Sequence, residues 1–286
     1  MSDLSLVAAW TAARRAFEAA GLESPIADAR LLLQAAAGVE RIHIVTDPHR
    51  PLPNGAQERL DAMIARRLAR EPVAYITGRQ GFWTLDLDVT PAVLIPRPDT
   101  EVLVHVGLAL LKDVERPRIL DLGTGSGAIL LALLSERADA TGIGVDSSSA
   151  ALEVAAANAD RHGLRARATF IEGDWGAGLE GPFDLVVSNP PYIEAAAIAG
   201  LEPEVARHEP RGALDGGADG LHAYRALAPD IARLTRPGGG FAVEFGLGQG
   251  AAATAILADA GLDVHGLRVD LTGRDRAAFG RKPAEA

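Results

Sequence analysis

Apolar positions recur at helical spacing from about Leu4 to Ala20, and Gly21 marks the stop. Ser24-Pro25 supplies an N-cap with proline at the first helical position, opening a helix from Ile26 to Ala37 that ends at Gly38. A loop punctuated by Pro48, Pro51 and Pro53 leads to a helix from Gln57 to Arg70. Its Arg66, Arg67 and Arg70 are expected to form a solvated face. The period then changes. Gly81 to Val89 alternates as a half-exposed strand does, and Val93-Leu94-Ile95 would complete a hairpin with it. Pro96 and Pro98 hold Arg97 between them, and Asp99 or Thr100 can cap a helix from Val102 to Leu111.

From Arg118 onward strands and helices alternate, which is the signature of a doubly wound sheet. Ile119-Leu120, Thr141 to Val145, Ala168 to Ile171 and Leu185 to Val187 read as four strands. Ala128 to Leu134 and Ala150 to Ala159 read as helices between them. A helix from Tyr224 to Leu234 follows, and Gly238-Gly239-Gly240 turns the chain into a strand from Phe241 to Phe245. A further helix and the strands Val264 to Val269 and Ala277 to Phe279 complete the pattern. The division this predicts is a helical module over 1–75, a β-hairpin linker over 76–98 and an α/β domain over 99–286.

Composition narrows the function classes. At 286 residues and 48% hydrophobic, the chain can bury one large core and a smaller one. Its net charge of −10 argues against a broad duplex-DNA footprint, though a small basic groove stays compatible with it. There is no cysteine, so disulfides, thiolate metal sites and a cysteine nucleophile are excluded. Neither a secretory signal nor a bilayer-length apolar run is evident, so a cytoplasmic protein is expected.

The candidate chemistry lies where the strands end. The fourth strand stops at Ser188-Asn189-Pro190-Pro191-Tyr192, because neither proline has a backbone N–H to continue it. A stiff turn there offers an amide side chain, free carbonyls and an aromatic ring at a strand's carboxyl end, where ligands of open α/β sheets sit. The first strand runs into Asp121-Leu122-Gly123-Thr124-Gly125-Ser126-Gly127, whose glycines let backbone amides approach a ligand closely. Gly123, Gly125 and Ala128 also satisfy the dinucleotide fingerprint, with Asp146 about twenty residues on. The turn by itself therefore fits NAD or S-adenosylmethionine. Asp146 suits a ribose diol in either case, and also suits a helix N-cap. Trp175 could wall an adenine ring or be ordinary core.

Taken with Gly127, Asp121 and the Asn-Pro-Pro-Tyr tetrapeptide, the chain resembles class I methyltransferases acting on planar, conjugated nitrogens. Within that group, Leu94 to Glu101, Gly81-Phe82-Trp83, His208-Glu209-Pro210, the downstream Leu214, Gly216, Gly217 and Gly220, and Gly273-Arg274-Asp275-Arg276 resemble the protein-glutamine branch. That branch is the PrmC/HemK family, which methylates the Gly-Gly-Gln glutamine of class I peptide chain release factors. The resemblance is close to full length. It implies a Rossmann-like class I methyltransferase sheet with a small helical N-terminal domain. It implies S-adenosylmethionine held by Gly123, Thr124, Gly125, Ser126, Gly127, Asp146, Trp175 and Asn189, and no metal. It implies that Asn189 and Pro190 are catalytic, and that Asn189, Pro190, Pro191 and Tyr192 bind the substrate amide. A monomer acting on protein, with no direct nucleic-acid or membrane partner, is expected. The rival reading is an N6-adenine DNA methyltransferase using the same tetrapeptide on a flipped base. It should carry a sizeable basic region, which this acidic chain lacks.

Overall fold

The computed structural model describes residues 4–270 and 272–284. They form two compact units. One runs to Gly78 and takes in Glu202–His208; the other comprises Arg79–Leu201 and the chain from Glu209 on.

The first unit is helical: α1 (Leu6–Ala19), α2 (Pro25–Ala37), α3 (Arg41–Thr46), α4 (Ala56–Leu68) and α5 (Val73–Thr77). The Ser5 side chain caps α1 by accepting from the Ala8 amide, and α2 ends at Gly38 in the left-handed region that glycine tolerates best. Leu6, Phe17, Leu32, Leu33 and Leu60 are buried together at the centre, each contributing about 1.5–3 kcal/mol. The arginine face departs from expectation. Arg66 is exposed, but Arg67 is buried, with Nε donating to Asp28 at 2.8 Å and Nη1 to Glu204 at 2.8 Å. Glu204 also pairs with Arg70. It lies on α9 (Pro203–His208), a short helix in the long stretch after Tyr192. A linear pattern cannot show that a carboxylate 137 residues away makes an arginine a core residue.

The second unit opens with a hairpin, but not the expected one. β1 (Arg79–Phe82) pairs antiparallel with β2 (Leu85–Asp88), so the alternating stretch folds back on itself. Trp83 turns the chain at φ +56, and Arg79 bridges to Asp86 and Asp88 across the ladder. Val93-Leu94-Ile95 is loop, because the Ile95 amide donates to the Glu209 carboxylate rather than to a strand.

The main sheet has the order β5-β4-β3-β6-β7-β9-β8. Its strands are β3 (Arg118–Leu122), β4 (Thr141–Asp146), β5 (Ala168–Glu172), β6 (Phe183–Ser188), β7 (Thr235–Glu244), β8 (Asp263–Val269) and β9 (Asp275–Arg281). β5, β4, β3, β6 and β7 run parallel, β9 pairs antiparallel with β7, and β8 pairs antiparallel with β9 and so runs with the other five. The triple glycine lies inside β7 rather than before it, at a register shift against β6. Two apolar layers cover the sheet. α6 (Glu101–Leu110) and α7 (Ala128–Glu136) bring Leu103, Leu130 and Leu133 to one, and α10 (His222–Leu234) and α11 (Gly250–Asp259) bring Tyr224, Ile231 and Leu257 to the other. The strand order reverses between β3 and β6, which opens a crevice at their carboxyl ends.

Candidate active site

β3, β4, β5 and β6 all point their carboxyl ends at one cavity of about 400 Å³, a volume that suits a nucleoside-sized ligand. Gly123, Thr124, Gly125, Ser126, Asp146, Trp175, Asn189 and Pro191 line it. Gly127, Pro190 and Tyr192 do not. Gly127 is the N-cap of α7, Pro190 is buried, and Tyr192 turns away toward α10 and β7.

The glycine loop is held from below. The amides of Gly123 and Thr124 both donate to the Val145 carbonyl at 2.9 Å, and the Thr124 hydroxyl donates to Asp121 at 2.7 Å. Gly123, Gly125 and Gly127 all adopt positive φ, so side chains there would strain the turn. A Cβ at Gly125 would meet no atom within 4 Å, so the open side of the loop is free for a ligand. Asn158 of α8 (Ser149–Arg161) is fully buried and donates to the Ser126 carbonyl and the Asp88 carbonyl.

Asp146 ends β4. One carboxylate oxygen accepts from the Gly125 amide at 2.9 Å, the other from the Ser148 amide at 3.0 Å. Ser148, not Asp146, caps α8, its hydroxyl accepting from the Ala151 amide. A carboxylate has about four acceptor positions, so two remain for a diol. The glycine cradle, the aspartate and the Trp175 ring, which a Cβ at Gly123 would meet at 3.6 Å, together fit an adenosyl group.

Asn189 follows β6. Its Nδ2 donates to the Thr100 hydroxyl at 3.2 Å, so Oδ1 is the atom left as acceptor. Among the described residues no donor reaches Asn189 Oδ1 or the Pro190 carbonyl. Ser188 is tied to β3 by a 2.7 Å bond to the Leu122 carbonyl. Arg97 also lines the cavity and pairs with Glu209, whose side chain is 1% exposed, so the two prolines and the His-Glu-Pro motif serve one ion pair.

Besides Glu209, Asp121 and Glu244 are buried carboxyls near the carboxyl ends of β3 and β7. Burial pushes Asp121 up to about 7 against the opposing Thr124 hydrogen bond, and its Oδ1 is buried with no partner among the described residues. Burial likewise pushes Glu244, at the end of β7, up to about 7. Hydrogen bonding from the Thr100 hydroxyl, the Arg276 charge and the Tyr192 hydroxyl oppose the shift by favouring the ionised form. Asn158, Glu244 and Gln249 do not stand out as functional residues in the linear pattern. An acid inside the apolar run Phe241 to Phe245, and an asparagine among the alanines of α8, were the signals available.

Residues 8–78 match the PrmC N-terminal domain and residues 114–247 a methyltransferase domain. A release factor glutamine methyltransferase of Caulobacter vibrioides is 51% identical over 280 residues, covering 98% of this chain and 97% of its own. Proteins of the same description from Rhodospirillum rubrum and Agrobacterium fabrum are 49% and 45% identical. They cover 93% and 98% of this chain, and 81% and 98% of their own. Among solved structures, a Pyrococcus furiosus methyltransferase superposes with a TM-score of 0.51 at 18% identity, over 77% of this chain and 97% of its own. The T. thermophilus 16S rRNA methyltransferase RsmC, solved with AdoMet and guanosine, gives 0.51 at 19% identity, over 71% and 49%. At such identities these two structures speak for the fold alone.

Proposed function

The chain belongs to the release factor glutamine methyltransferase family, and we propose that it methylates the side-chain N5 of the Gly-Gly-Gln glutamine in class I release factors, with S-adenosylmethionine as donor. Full-length relatives of that description do not favour the adenine-directed reading.

The orientation of Asn189 carries this mechanism. An amide nitrogen is a poor nucleophile because its lone pair is delocalised into the carbonyl. Bound S-adenosylmethionine supplies a methyl group on a positively charged sulfur. The chain's part is to orient the nitrogen and to favour positive charge on it. Thr100 takes the Asn189 N–H₂, which turns Oδ1 outward at the end of β6. Asn189 Oδ1 and the Pro190 carbonyl each accept one N–H of the substrate amide. Both bonds strengthen as the nitrogen becomes cationic, so they act on the transition state more than on the ground state. Two prolines hold the acceptors rigid, and positioning of this kind is worth several kcal/mol. Gly123 to Ser126, Asp146 and Trp175 hold the donor, with Asp146 taking the ribose hydroxyls. Pro191, which lines the cavity, completes the substrate side.

The protein reads as a cytoplasmic monomer acting on a protein partner; no helix among the described residues is long and apolar enough to cross a membrane. Incubation with labelled S-adenosylmethionine and either a release factor or DNA tests the proposal. Label on the release factor glutamine supports it, and label on DNA overturns it.

A further inference from the structure

We propose that Glu244 and Gln249 are positioning residues that grip Tyr192 at its two ends, and so hold the Asn189-Pro190 acceptors in the geometry methyl transfer requires. The inference rests on the reading of the tetrapeptide given above.

Tyr192 is held by its hydroxyl and by its backbone. The hydroxyl donates to Glu244 Oε1 at 3.3 Å, at the carboxyl end of β7. The backbone carbonyl accepts from Gln249 Nε2 at 2.9 Å. Gln249 precedes α11 and has a partner for every polar atom. Its second N–H faces the Gly220 carbonyl at 3.4 Å, and its Oε1 accepts from the Gly246 amide at 3.0 Å and the Tyr224 hydroxyl at 3.3 Å. One amide side chain thereby joins the Tyr192 turn, the Gly220 loop, the turn after β7 and α10.

The space around the tyrosine is made for it. A Cβ at Gly216 would lie 2.8 Å from the Tyr192 backbone, one at Gly220 2.5 Å from its carbonyl oxygen, and one at Gly246 2.9 Å from its ring. This explains why the stretch around Leu214 to Gly220 is rich in glycine. The base of the excursion that leaves this unit is also zipped shut, by the Ile193 amide on the Leu214 carbonyl and the Gly216 amide on the Ile193 carbonyl.

An ordinary packed tyrosine needs one acceptor for its hydroxyl. Here the turn is pinned on both sides of the acceptor pair. Ser188 is tied to Leu122 before it, Asn189 is itself fixed through its Nδ2 on Thr100, and Tyr192 is tied to Glu244 and Gln249 after it. Between the pins lie the two acceptors that no donor in the described residues reaches. Two stiff prolines carry a displacement at residue 192 directly back to the Pro190 carbonyl.

Kinetics on an intact release factor test this, with melting temperature and calorimetric S-adenosylmethionine affinity measured for each variant. Gln249→Met, Glu244→Leu and Tyr192→Phe should each lower kcat by about 10- to 100-fold. The KM for release factor and the cofactor Kd should move by less than about threefold. Glu244→Gln keeps an acceptor for the Tyr192 hydroxyl and should restore most of the rate. Adding Tyr192→Phe to Glu244→Leu should cost nothing further, because both remove one bond. Tyr192→Phe is nearly isosteric, so it keeps the test open even where Glu244→Leu does not fold. Wild-type kcat in Tyr192→Phe and Gln249→Met, or a loss matched by equal loss of cofactor affinity, overturns the inference. A wild-type enzyme that leaves the release factor unlabelled overturns the underlying reading, and the inference with it.

Discussion

Asn189 concentrates the chemistry in one side chain. Asn189→Ala removes one of two acceptors and leaves the Pro190 carbonyl, so single-turnover rates at saturating cofactor should fall by about 10²–10³. Asn189→Asp should retain more activity than alanine, because the Thr100 hydroxyl can turn to donate where it now accepts. Wild-type turnover by the alanine variant would return the tetrapeptide to a structural turn. Asp121 makes a different prediction at the same scale. Its carboxyl titrates near 3.8 when unfolded and about 7 when folded. The folded state therefore holds the proton more tightly, and this stabilisation is present in full below about pH 4 and lost as pH rises through 7. Asp121→Asn removes the titration while keeping an acceptor for Thr124. Its melting temperature relative to wild type should rise between pH 4 and pH 8, with Glu244 retaining its own share of the slope. A difference flat with pH would mean Asp121 does not hold a proton.

At the scale of elements, α2, α4 and α9 are joined by charge rather than by apolar surface alone. Asp28, Arg67 and Glu204 form a buried chain of ion pairs. Removing one partner of a buried pair leaves an uncompensated charge, which typically costs about 3–5 kcal/mol. Asp28→Ala should therefore shift the denaturant midpoint strongly, whereas Glu18→Ala, an exposed residue whose partner Arg14 is only half-buried, should change it by less than about 1 kcal/mol. Equal effects would mean that the burial of Arg67 is energetically idle. The hairpin teaches a related lesson. The alternation over Gly81 to Val89 was visible, but the turn within it depends on Trp83 accepting a left-handed φ. Its amide is meanwhile held by the Glu101 carboxylate at 2.8 Å. Neither contact belongs to the local pattern.

For the whole molecule, the chain does not divide once. It leaves the sheet-bearing unit at Glu202 and returns at Glu209, so α9 belongs with the N-terminal helices. Deleting the chain up to about Gly78 should preserve cofactor binding, since Gly123 to Ser126, Asp146 and Trp175 all lie in the other unit. It should abolish activity on intact release factor. The same deletion strips Glu204 of Arg67 and Arg70, so the segment following the active-site turn should gain proteolytic sensitivity there. Full-rate methylation by the truncated protein would show that the helical module takes no part in substrate capture.

The sequence by itself determined the alternation of strands and helices, the glycine turn, Asp146 and the stop at the double proline. Each rests on local backbone rules: which residues accept positive φ, which lack an N–H, and which periods bury one face. Only the tertiary structure decided which way Asn189 faces, because that depends on Thr100, 89 residues away. It alone made Arg67 a core residue and Glu244 a buried acid beneath the site. Hydrogen bonds and ion pairs between distant segments leave no period in the chain. Their energies depend on burial, and burial exists only once the segments have met.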